Sequence, residues 1–310
     1  MEIDGLLSVS LNHLNLSCFI GKCCSVVAVR QEFRKKFLPK CVRWHALFVQ
    51  FEFCEVKKVN SKESIEKTKQ GFEESFRLGS YYNKQTRDDM HLELILRCIQ
   101  VEPGMRILDL GTGSGYLAFP FAEKYKQVEV VGLDIVEKTL EENQRKAKLV
   151  GINNLHFVNY EGVDFPFDDN SFDIVITRYA LHHFPAINDT FREISRVLKK
   201  SGIFFLSDPT PNDDDVDRFV DEYMQMRKDG HIKFYTKDEW KEIGNSVDLM
   251  YVDDFETNIR FPRKKDTALE FDDIISRHNE VVIRGYEVEI IEDEIWITEK
   301  VNNLLFRKSK

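Results

Sequence analysis

The sequence lacks any apolar run of about 18 residues, the minimum for a membrane-spanning helix, so we expect no membrane span. Cysteine is scarce after the first 60 residues: five of the six cysteines lie in residues 1–60, and the other is Cys98. A disulfide-built secreted protein would distribute its cysteines through its body, so we expect a cytoplasmic protein. The sequence also lacks C-x-x-C spacing, which disfavours a zinc site.

Basic charge is also scarce in most of the chain. The formal net charge is −9; residues 1–60 hold nine Lys/Arg against five Asp/Glu, and the remainder holds 35 against 48. A nucleic-acid substrate needs a basic surface facing its phosphates. The acidic remainder therefore favours another kind of substrate; a local basic patch is the alternative that would allow a nucleic acid.

Residues 1–60 differ from the rest in charge and cysteine content and show no regular apolar period. No basic residue precedes their apolar part, so they lack the layout of a secretory signal. Two interpretations stay open: a weakly packed extension, or upstream DNA translated in frame, with the true start near Val56 to Val59. We therefore predict one domain over residues 61–310.

Strands and helices alternate from about residue 61 onwards. The segments "RILDL", "VEVVGLD", "LHFVNY", "FDIVITRY" and "IFFLSD" are predicted strands, with helical patterns between them. Strands that are apolar on both faces are typical of a parallel sheet covered by helices. A hairpin of "VDLMYVDDFETNI" and "NLLFRKS" would complete the sheet. We predict an α/β fold with a doubly wound, Rossmann-like sheet of seven strands, the last antiparallel.

The alternation breaks after Asp208. Residues 211–245 contain two helical patterns and no strand, and "TKDEW" is a capping box in which Thr236 pairs with Glu239. Because these helices interrupt the sheet order, we predict that they form a cover over the site.

The stretch "ILDLGTGSGYLAF" places Gly111, Gly113 and Gly115 between a strand and a helix. A dinucleotide site reads G-x-G-x-x-G, but Tyr116 stands where its third glycine belongs. Asp109 would put a fixed negative charge beside a pyrophosphate, whereas it would stabilise a ligand that carries an ammonium and a sulfonium. The loop therefore favours S-adenosylmethionine over NAD.

Four segments resemble the successive motifs of class I S-adenosylmethionine-dependent methyltransferases: "ILDLGTGSGYLAF", "VVGLDIVEKTLEENQRKA", "FPFDDNSFDIVITRYALHHF" and "REISRVLKKSGIFFLSD". They are most similar to the small-molecule branch that includes the ubiquinone/menaquinone methyltransferases. The resemblance covers residues 70–210 well, continues more weakly to the C-terminus and does not include residues 1–60.

The resemblance implies roles for the residues of the loop and of the second strand. The methionine part of the cofactor would be lined by Gly111, Thr112, Gly113 and Gly115. Asp109 would lie near its amino group, and Asp134 would accept hydrogen bonds from the ribose hydroxyls. Asp134 lies 23 residues after Gly111, close to the spacing expected for a ribose ligand. Ile135 would pack on the adenine.

The adenine end departs from the family pattern, because Tyr160, Glu161 and Gly162 replace the usual Gly-Asp-Ala. Counting back from the "PF" pair assigns Glu161 and Gly162 to the adenine, with Asp164 as the alternative acid. Tyr82 resembles a tyrosine upstream of the first motif that can approach the sulfonium; packing on the surface is the alternative role.

Methyl transfer from a sulfonium mainly requires an acceptor held in line, and a base matters when the acceptor is a hydroxyl or a protonated nitrogen. Ligands of open α/β sheets bind at the carboxyl ends of the strands. Candidates there are Arg178, His182, His183 and Asp208; we assign catalytic roles to His183 and Arg178, and to His231 in the cover. Packing of His183 under the next helix is the alternative. No spacing favours a metal.

The acceptor is expected to be a small organic molecule. The fourth strand runs into "ITRYALHHF", without the Asn/Asp-Pro-Pro-aromatic motif of amino-methyltransferases that act on DNA bases. We predict S-adenosylmethionine-dependent methyl transfer to a small acceptor. The rival functions are a catalytically silent regulator that binds the same cofactor, and an NAD-dependent oxidoreductase.

Overall fold

The computed structural model describes residues 61–77, 87–227, 229–264 and 268–309. All of them belong to one compact unit, Lys57–Lys310. The predicted extension of residues 1–60 and the predicted site residue Tyr82 lie outside the described residues.

The helices of the described ranges are α1 Ser61–Arg77, α2 Asp89–Cys98, α3 Ala118–Lys124, α4 Glu137–Leu149, α5 Ile187–Val197, α6 Phe219–Gln225, α7 Lys237–Asn245, α8 Ala268–Arg277 and α9 Glu280–Gly285, with a 3₁₀ turn at Leu181–His183. The strands are β1 Arg106–Leu110, β2 Glu129–Asp134, β3 Leu155–Asn159, β4 Phe172–Arg178, β5 Leu198–Thr210, β6 Leu249–Lys264, β7 Glu289–Ile291 and β8 Glu294–Lys308. None of these helices is both long enough and apolar enough to cross a membrane.

The strands form one sheet in the order β3-β2-β1-β4-β5-β8-β6, and β7 pairs with β8 beside this path. Strands β1 to β5 pair in parallel, and β8 runs antiparallel to both β5 and β6. The predicted doubly wound sheet with an antiparallel strand at the end of the chain is confirmed. The sheet has one strand more than predicted, namely β7. This strand was missed because all three of its residues are exposed, so it has no buried apolar pattern.

Strand β5 is longer than the predicted "IFFLSD". It begins at Leu198, directly after helix α5 ends at Val197, and runs to Thr210. Helix α6 begins at Phe219, and Val216 before it is exposed. The carboxylate of Asp215 accepts hydrogen bonds from the Phe219 and Val220 N–H groups and so stabilises the start of the helix.

Helices α8 and α9, between β6 and β8, were not predicted. Each contributes little apolar surface, but Phe271, Ile274 and Ile283 are buried against α6 and the long strands β6 and β8. These residues form a third core, separate from the two cores on the faces of the sheet.

The predicted capping box is confirmed, whereas the cover that residues 211–245 were predicted to form over the site stays a prediction; none of these residues lines the pocket described below. The N–H of Glu239 donates to Thr236 Oγ1 over 3.2 Å, and the N–H of Thr236 donates to Glu239 Oε2 over 2.8 Å. One residue further, Trp240 is fully buried and stacks on Phe191 of α5, with ring centroids 5.6 Å apart. The box therefore fixes the start of α7, where Trp240 packs this helix against α5.

Candidate active site

A pocket opens at the carboxyl ends of β1, β2 and β4. Its walls come from the glycine loop after β1, the end of β2, the segment after β3 and the segment after β4. Helix α1 closes one side. Because parallel strands end at the same edge, residues far apart in the sequence meet here.

The glycines of the loop have two different uses. A Cβ on Gly111 would lie 2.6 Å from the Ala180 Cβ, so this backbone must pass close to the segment after β4. At Gly113, whose φ is +49°, no atom of the described residues lies within 4 Å of an added Cβ. Gly115 lies outside the pocket wall, and its Cβ would lie 2.5 Å from the Phe119 ring, so it allows α3 to pack. The open backbone of Gly113 is the part of the loop that a ligand can approach.

Asp109 stabilises the glycine loop through hydrogen bonds on the side away from the pocket. Its Oδ2 accepts hydrogen bonds from Thr112 Oγ1 over 2.7 Å and from the Ala118 N–H over 3.1 Å. The side chain is buried and is not part of the pocket wall, and burial raises its pKa to about 7. Thr112 does line the pocket. Asp109 thus ties the loop to the start of α3, and its predicted contact with a ligand stays a prediction.

Asp134 ends β2 and lines the pocket. Its Oδ2 accepts a hydrogen bond from the Gly113 N–H over 2.8 Å, and its Oδ1 accepts one from the Val136 N–H over 2.9 Å. Burial raises its pKa, and these N–H groups oppose the shift by stabilising the ionised form. Each carboxylate oxygen has capacity for a second donor, so a pair of hydroxyl groups matches this carboxylate.

The segment after β3 supplies the wall beyond Asp134. Tyr160 and Gly162 line the pocket together with Ile135, whereas Glu161 and Asp164 are exposed and lie outside the wall. Tyr160 was not predicted as a site residue, because the family pattern has an acid in this segment. An apolar and aromatic wall of this kind suits a planar ring.

Arg178, at the end of β4, lies between aromatic rings on the pocket wall. Its guanidinium carbon is 4.1 Å from the centroid of Tyr116 and 3.8 Å from that of Tyr179. Its Nε donates to His91 Nδ1 over 3.3 Å. Tyr179 has a φ of +54°, uncommon for a residue other than glycine, and its N–H donates to the Ser207 carbonyl over 2.8 Å. After this turn, the segment that follows β4 runs along the pocket wall.

His183 lines the same wall and is 5% exposed. Its ring contacts Phe72 of α1 edge-on, with centroids 5.1 Å apart, and lies 4.1 Å from the ring of His182. Its Nδ1 has no hydrogen-bond partner within the described ranges. Burial is the main cause that lowers its pKa to about 3, so the ring is neutral near pH 7.

His231, in the segment predicted as a cover, is not part of the pocket wall. Its Nε2 is 2.9 Å from Asp221 Oδ1, and the same oxygen accepts a hydrogen bond from the Phe234 N–H over 2.7 Å. Its ring packs against His182, with centroids 5.4 Å apart. The structure therefore places His231 behind the wall of the pocket, and its predicted catalytic role stays a prediction.

A buried pair joins β5 to the segment after β4: His182 Nδ1 lies 2.8 Å from Asp208 Oδ1, and both side chains are almost fully buried. Burial lowers the pKa of His182 well below its usual value and raises that of Asp208 to about 8. Both were candidates from the sequence, but neither was chosen. They were candidates because His182 follows β4 and Asp208 lies on the neighbouring strand β5, at the carboxyl ends of the strands.

Helix α1 contributes residues that the sequence analysis missed entirely. Those on the pocket wall are Ile65, Thr68, Phe72 and Ser75. They recur at i, i+3, i+7 and i+10, which is one face of a helix, and this spacing was the available signal. In the described part of the chain, no group of three or more His, Cys, Asp or Glu residues is arranged to hold a metal ion.

Comparison with known proteins identifies the segment that forms most of this pocket. Residues 101–248 match the model of a family described as a methyltransferase domain. This part of the chain is a methyltransferase domain. The match includes the glycine loop, Asp134 and both histidines after β4.

Relatives agree with this assignment. The chain is 34% identical over 163 residues to the uncharacterized methyltransferase YcgJ of Bacillus subtilis, an alignment that covers 52% of this chain and 64% of the relative. The crystal structure of YcgJ superposes with a TM-score of 0.63 and 26% identity, covering 72% of this chain and 100% of that one. A demethylmenaquinone methyltransferase of Geobacillus kaustophilus is 33% identical over 112 residues, 36% of this chain and 48% of the relative.

The chain thus spans less than two thirds of the length of the curated relatives it matches. A more distant structure shares the fold alone. It is an N-methyltransferase of Haemonchus contortus in complex with phosphomonomethylethanolamine and S-adenosylhomocysteine, 16% identical with a TM-score of 0.54, covering 81% of this chain and 58% of that one.

Proposed function

We propose that this methyltransferase domain transfers a methyl group from S-adenosylmethionine to a small organic acceptor. The observation that carries the proposal is the pairing of open loop backbone with a carboxylate: the Gly113 N–H is 2.8 Å from Asp134 Oδ2, on the wall of one pocket. A donor that combines a charged amino-acid end with a ribose would meet backbone at the first position and a carboxylate at the second.

The residues present fit such a donor from end to end. Gly111, Thr112 and Gly113 offer room and backbone groups for its methionine part. Asp134 has the acceptor capacity for two ribose hydroxyls, and the wall of Ile135 and Tyr160 suits the adenine. When bound, the donor supplies a methyl group on a positively charged sulfur.

The chain's own contribution is to orient and enclose the reacting groups. Phe72 of α1 meets His183 across the pocket, which helps to exclude water from the region between them. His183 is the proposed base for an acceptor that must lose a proton, because its ring lines the pocket and its Nδ1 has no hydrogen-bond partner in the described ranges. Arg178 is held by two aromatic rings, so its position on the wall is fixed before an acceptor arrives.

The acidic charge outside residues 1–60 supports a small acceptor rather than a nucleic acid. The cytoplasm is the proposed location, because Cys98 is free and the cysteine pattern of the body is not that of a disulfide-built protein.

Transfer of labelled methyl tests the proposal. The full chain is incubated with S-adenosylmethionine labelled with ¹³C in the methyl group and with panels of amines, phenols and quinols, and S-adenosylhomocysteine is quantified. We expect labelled product together with S-adenosylhomocysteine. Binding of NADH in preference to S-adenosylmethionine, measured on the same preparation, would contradict the proposal; binding without turnover on any panel favours the regulator.

A further inference from the structure

Strand β6 lies at one end of the sheet and, among the described strands, pairs with β8 alone. It is long, Leu249–Lys264, and its register against β8 is continuous from Asp253 to Lys264. The N–H and C=O groups of its other edge therefore pair with no strand in the described part of the chain. Such an edge can accept a further strand.

Alternate residues of β6 direct their backbone groups to this open edge. On β8, the N–H of Thr298 donates to the Tyr286 carbonyl over 2.8 Å, on the side where β7 lies. Thr298 is opposite Arg260, so the backbone groups of both residues face away from the ladder between β6 and β8. Those of Arg260 therefore face the open edge, and so do those of Asn258 and Glu256 before it.

The open edge of β6 is accessible around Asn258. Glu256 and Asn258 are exposed, and Arg260 is partly exposed. Pro262 is buried and has no N–H, so its nitrogen cannot donate to a further strand. A strand that pairs with this edge therefore has to bond mainly to the residues before Pro262.

The charges of β6 are segregated by sign about Asn258. The acids before it are Asp253, Asp254 and Glu256, and the bases after it are Arg260, Arg263 and Lys264. Charges on an edge strand usually oppose pairing with another strand. Here a second copy of β6 that runs antiparallel brings the acidic half of each strand against the basic half of the other, so the charges attract.

A two-fold axis between two copies restricts which residues meet. Opposite residues of an antiparallel pair lie on the same face, so symmetric partners differ by an even number of positions. With Asn258 opposite Asn258 of the second copy, Glu256 meets Arg260 and Asp253 meets Arg263. Both pairs occur on either side of the axis, because the two strands are equivalent.

Other symmetric registers match the charges less well. An axis at Thr257 or at Ile259 leaves one pair of opposite charges on either side of the axis instead of two. An axis at Glu256 or at Arg260 sets like charges directly opposite each other, which destabilises a strand pair. The charge pattern therefore selects Asn258 as the centre.

The central pair extends ion pairs that the chain already makes. Lys237 Nζ lies 3.6 Å from Glu256 Oε1, and the Arg260 guanidinium lies 2.6 Å from Glu289 Oε2. Across the axis, Lys237 and Glu256 of one copy continue into Arg260 and Glu289 of the other, with charges that alternate in sign. Exposed ion pairs contribute little singly and more as a network. Hydrogen bonds between the two backbones supply the affinity, and the charges select the register.

We propose that the edge of β6 from Asp253 to Arg263 is an interface with a second copy of this chain, paired antiparallel about a two-fold axis at Asn258. The sheets of the two copies then join into one. The inference goes beyond the proposed function and does not depend on it. No residue of β6 lines the donor pocket, so each copy keeps a pocket of its own.

Sedimentation equilibrium of the full chain is the first test. We expect a dimer with a dissociation constant of about 10 µM or tighter, as for a modest but specific interface. A monomer at all concentrations up to about 100 µM overturns the inference, whatever the variants below do.

Charge reversal tests the pairing of opposite signs. Glu256→Lys places like charges opposite each other on both sides of the axis, and we expect it to weaken the dimer at least tenfold, about 1.4 kcal/mol. Glu142→Lys makes the same change at an exposed position on α4 and should leave the dimer intact. Equal effects of the two variants mean that net charge, and not this edge, controls association, and contradict the inference.

Cysteine cross-linking tests the register. Asn258→Cys places a thiol on the axis, where opposite Cα atoms are about 5.5 Å apart, within the range of a disulfide. Glu256→Cys lies on the same face, but its two copies would be about 14 Å apart, too far for a disulfide. Under mild oxidation we expect Asn258→Cys to link to itself and Glu256→Cys not to.

Mass spectrometry of the peptide that carries position 258 distinguishes this link from disulfides of the native cysteines. Dimers that cross-link equally at positions 256 and 258, or at neither, use another register or another surface and overturn the inference. If a cysteine variant fails to fold, the sedimentation of the unsubstituted chain and of Glu256→Lys still decides.

Discussion

The N–H of Gly113 donates a hydrogen bond to Asp134 Oδ2 over 2.8 Å, across the gap between the first and second strands. This bond sets the loop of β1 against the acid of β2, although the two residues are 21 positions apart. Since both carboxylate oxygens already accept backbone N–H groups, the carboxylate is oriented before any ligand arrives. Preorganisation of this kind reduces what a ligand must spend in ordering the site.

Removing the acid should weaken donor binding. We expect Asp134→Ala to weaken S-adenosylhomocysteine binding by about 1–3 kcal/mol, the scale for hydrogen bonds to a charged group. Isothermal titration calorimetry measures it, with circular dichroism to verify the fold. Asp164→Ala removes an exposed acid outside the pocket wall and should leave the affinity unchanged. Unchanged affinity in Asp134→Ala removes this residue from the site.

Alanine substitutions at two glycines distinguish steric blocking of the pocket from the effect of backbone strain. Gly113 and Gly151 both have positive φ, and both have open space where a Cβ would be built. Replacement by alanine should therefore cost each about 1 kcal/mol of folding stability. Only Gly113→Ala should also lower S-adenosylhomocysteine affinity, by about tenfold or more, because its methyl group enters space beside Asp134. The same loss of affinity in both variants would show that strain alone explains it.

The parts of the site that could be predicted are those encoded in short stretches of sequence. Strands β1 to β5 are apolar runs bounded by turns, so the sheet and its ligand-binding edge followed from the sequence. Asp134 followed from its distance to the glycine loop. The role of Asp109 beneath the loop did not follow, because the sequence does not show whether a strand-end acid faces a ligand or the next helix.

Contacts between residues far apart in the sequence could not be predicted from the sequence alone. Glu299 and His182 line the same small cavity only because β8 inserts between β5 and β6. A lone glutamate in a strand is expected to face solvent. The α1 face of Ile65, Thr68, Phe72 and Ser75 was hidden by the charged residues between them. Helix α9 and strand β7 are too short for their periods to stand out.

Mutation of His183 should affect the reaction more than donor binding. We expect His183→Ala to lower kcat by about 100-fold, the low end for a lost acid–base group, with little change in S-adenosylhomocysteine affinity. His156→Ala, at an exposed position of β3, is the matched control and should change neither. Parallel losses in kcat and affinity would assign His183 to a structural role under α1.

Stability should fall as pH rises from about 6.5 to about 8. Burial raises the pKa of Asp208 and of Glu299 to about 8. Such a carboxyl keeps its proton in the folded protein after the unfolded chain has lost it, so unfolding becomes easier as pH rises between the two pKa values. The lowered pKa values of His183 and His91, about 3 and about 4, act in the opposite direction but only below about pH 6.5.

Urea unfolding at pH 6.5 and pH 8 measures this slope. Each of these carboxyls contributes up to about 1.4 kcal/mol per pH unit, so Glu299→Gln should make the decline shallower by up to that amount. In Glu256→Gln, the same change at an exposed position on β6, the free energy of unfolding should change with pH as it does in the unsubstituted protein. A slope that Glu299→Gln does not alter would mean that the Glu299 carboxyl is ionised throughout this range.

A crystal structure of the full chain with S-adenosylhomocysteine tests the central claim most directly. The account predicts the ribose hydroxyls within hydrogen-bond distance of the Asp134 carboxylate, the amino-acid end beside Gly113, and the sulfur on the side of the pocket lined by Tyr179. Ligand density elsewhere, or a pocket filled by the chain's own side chains with no ligand bound, would contradict it.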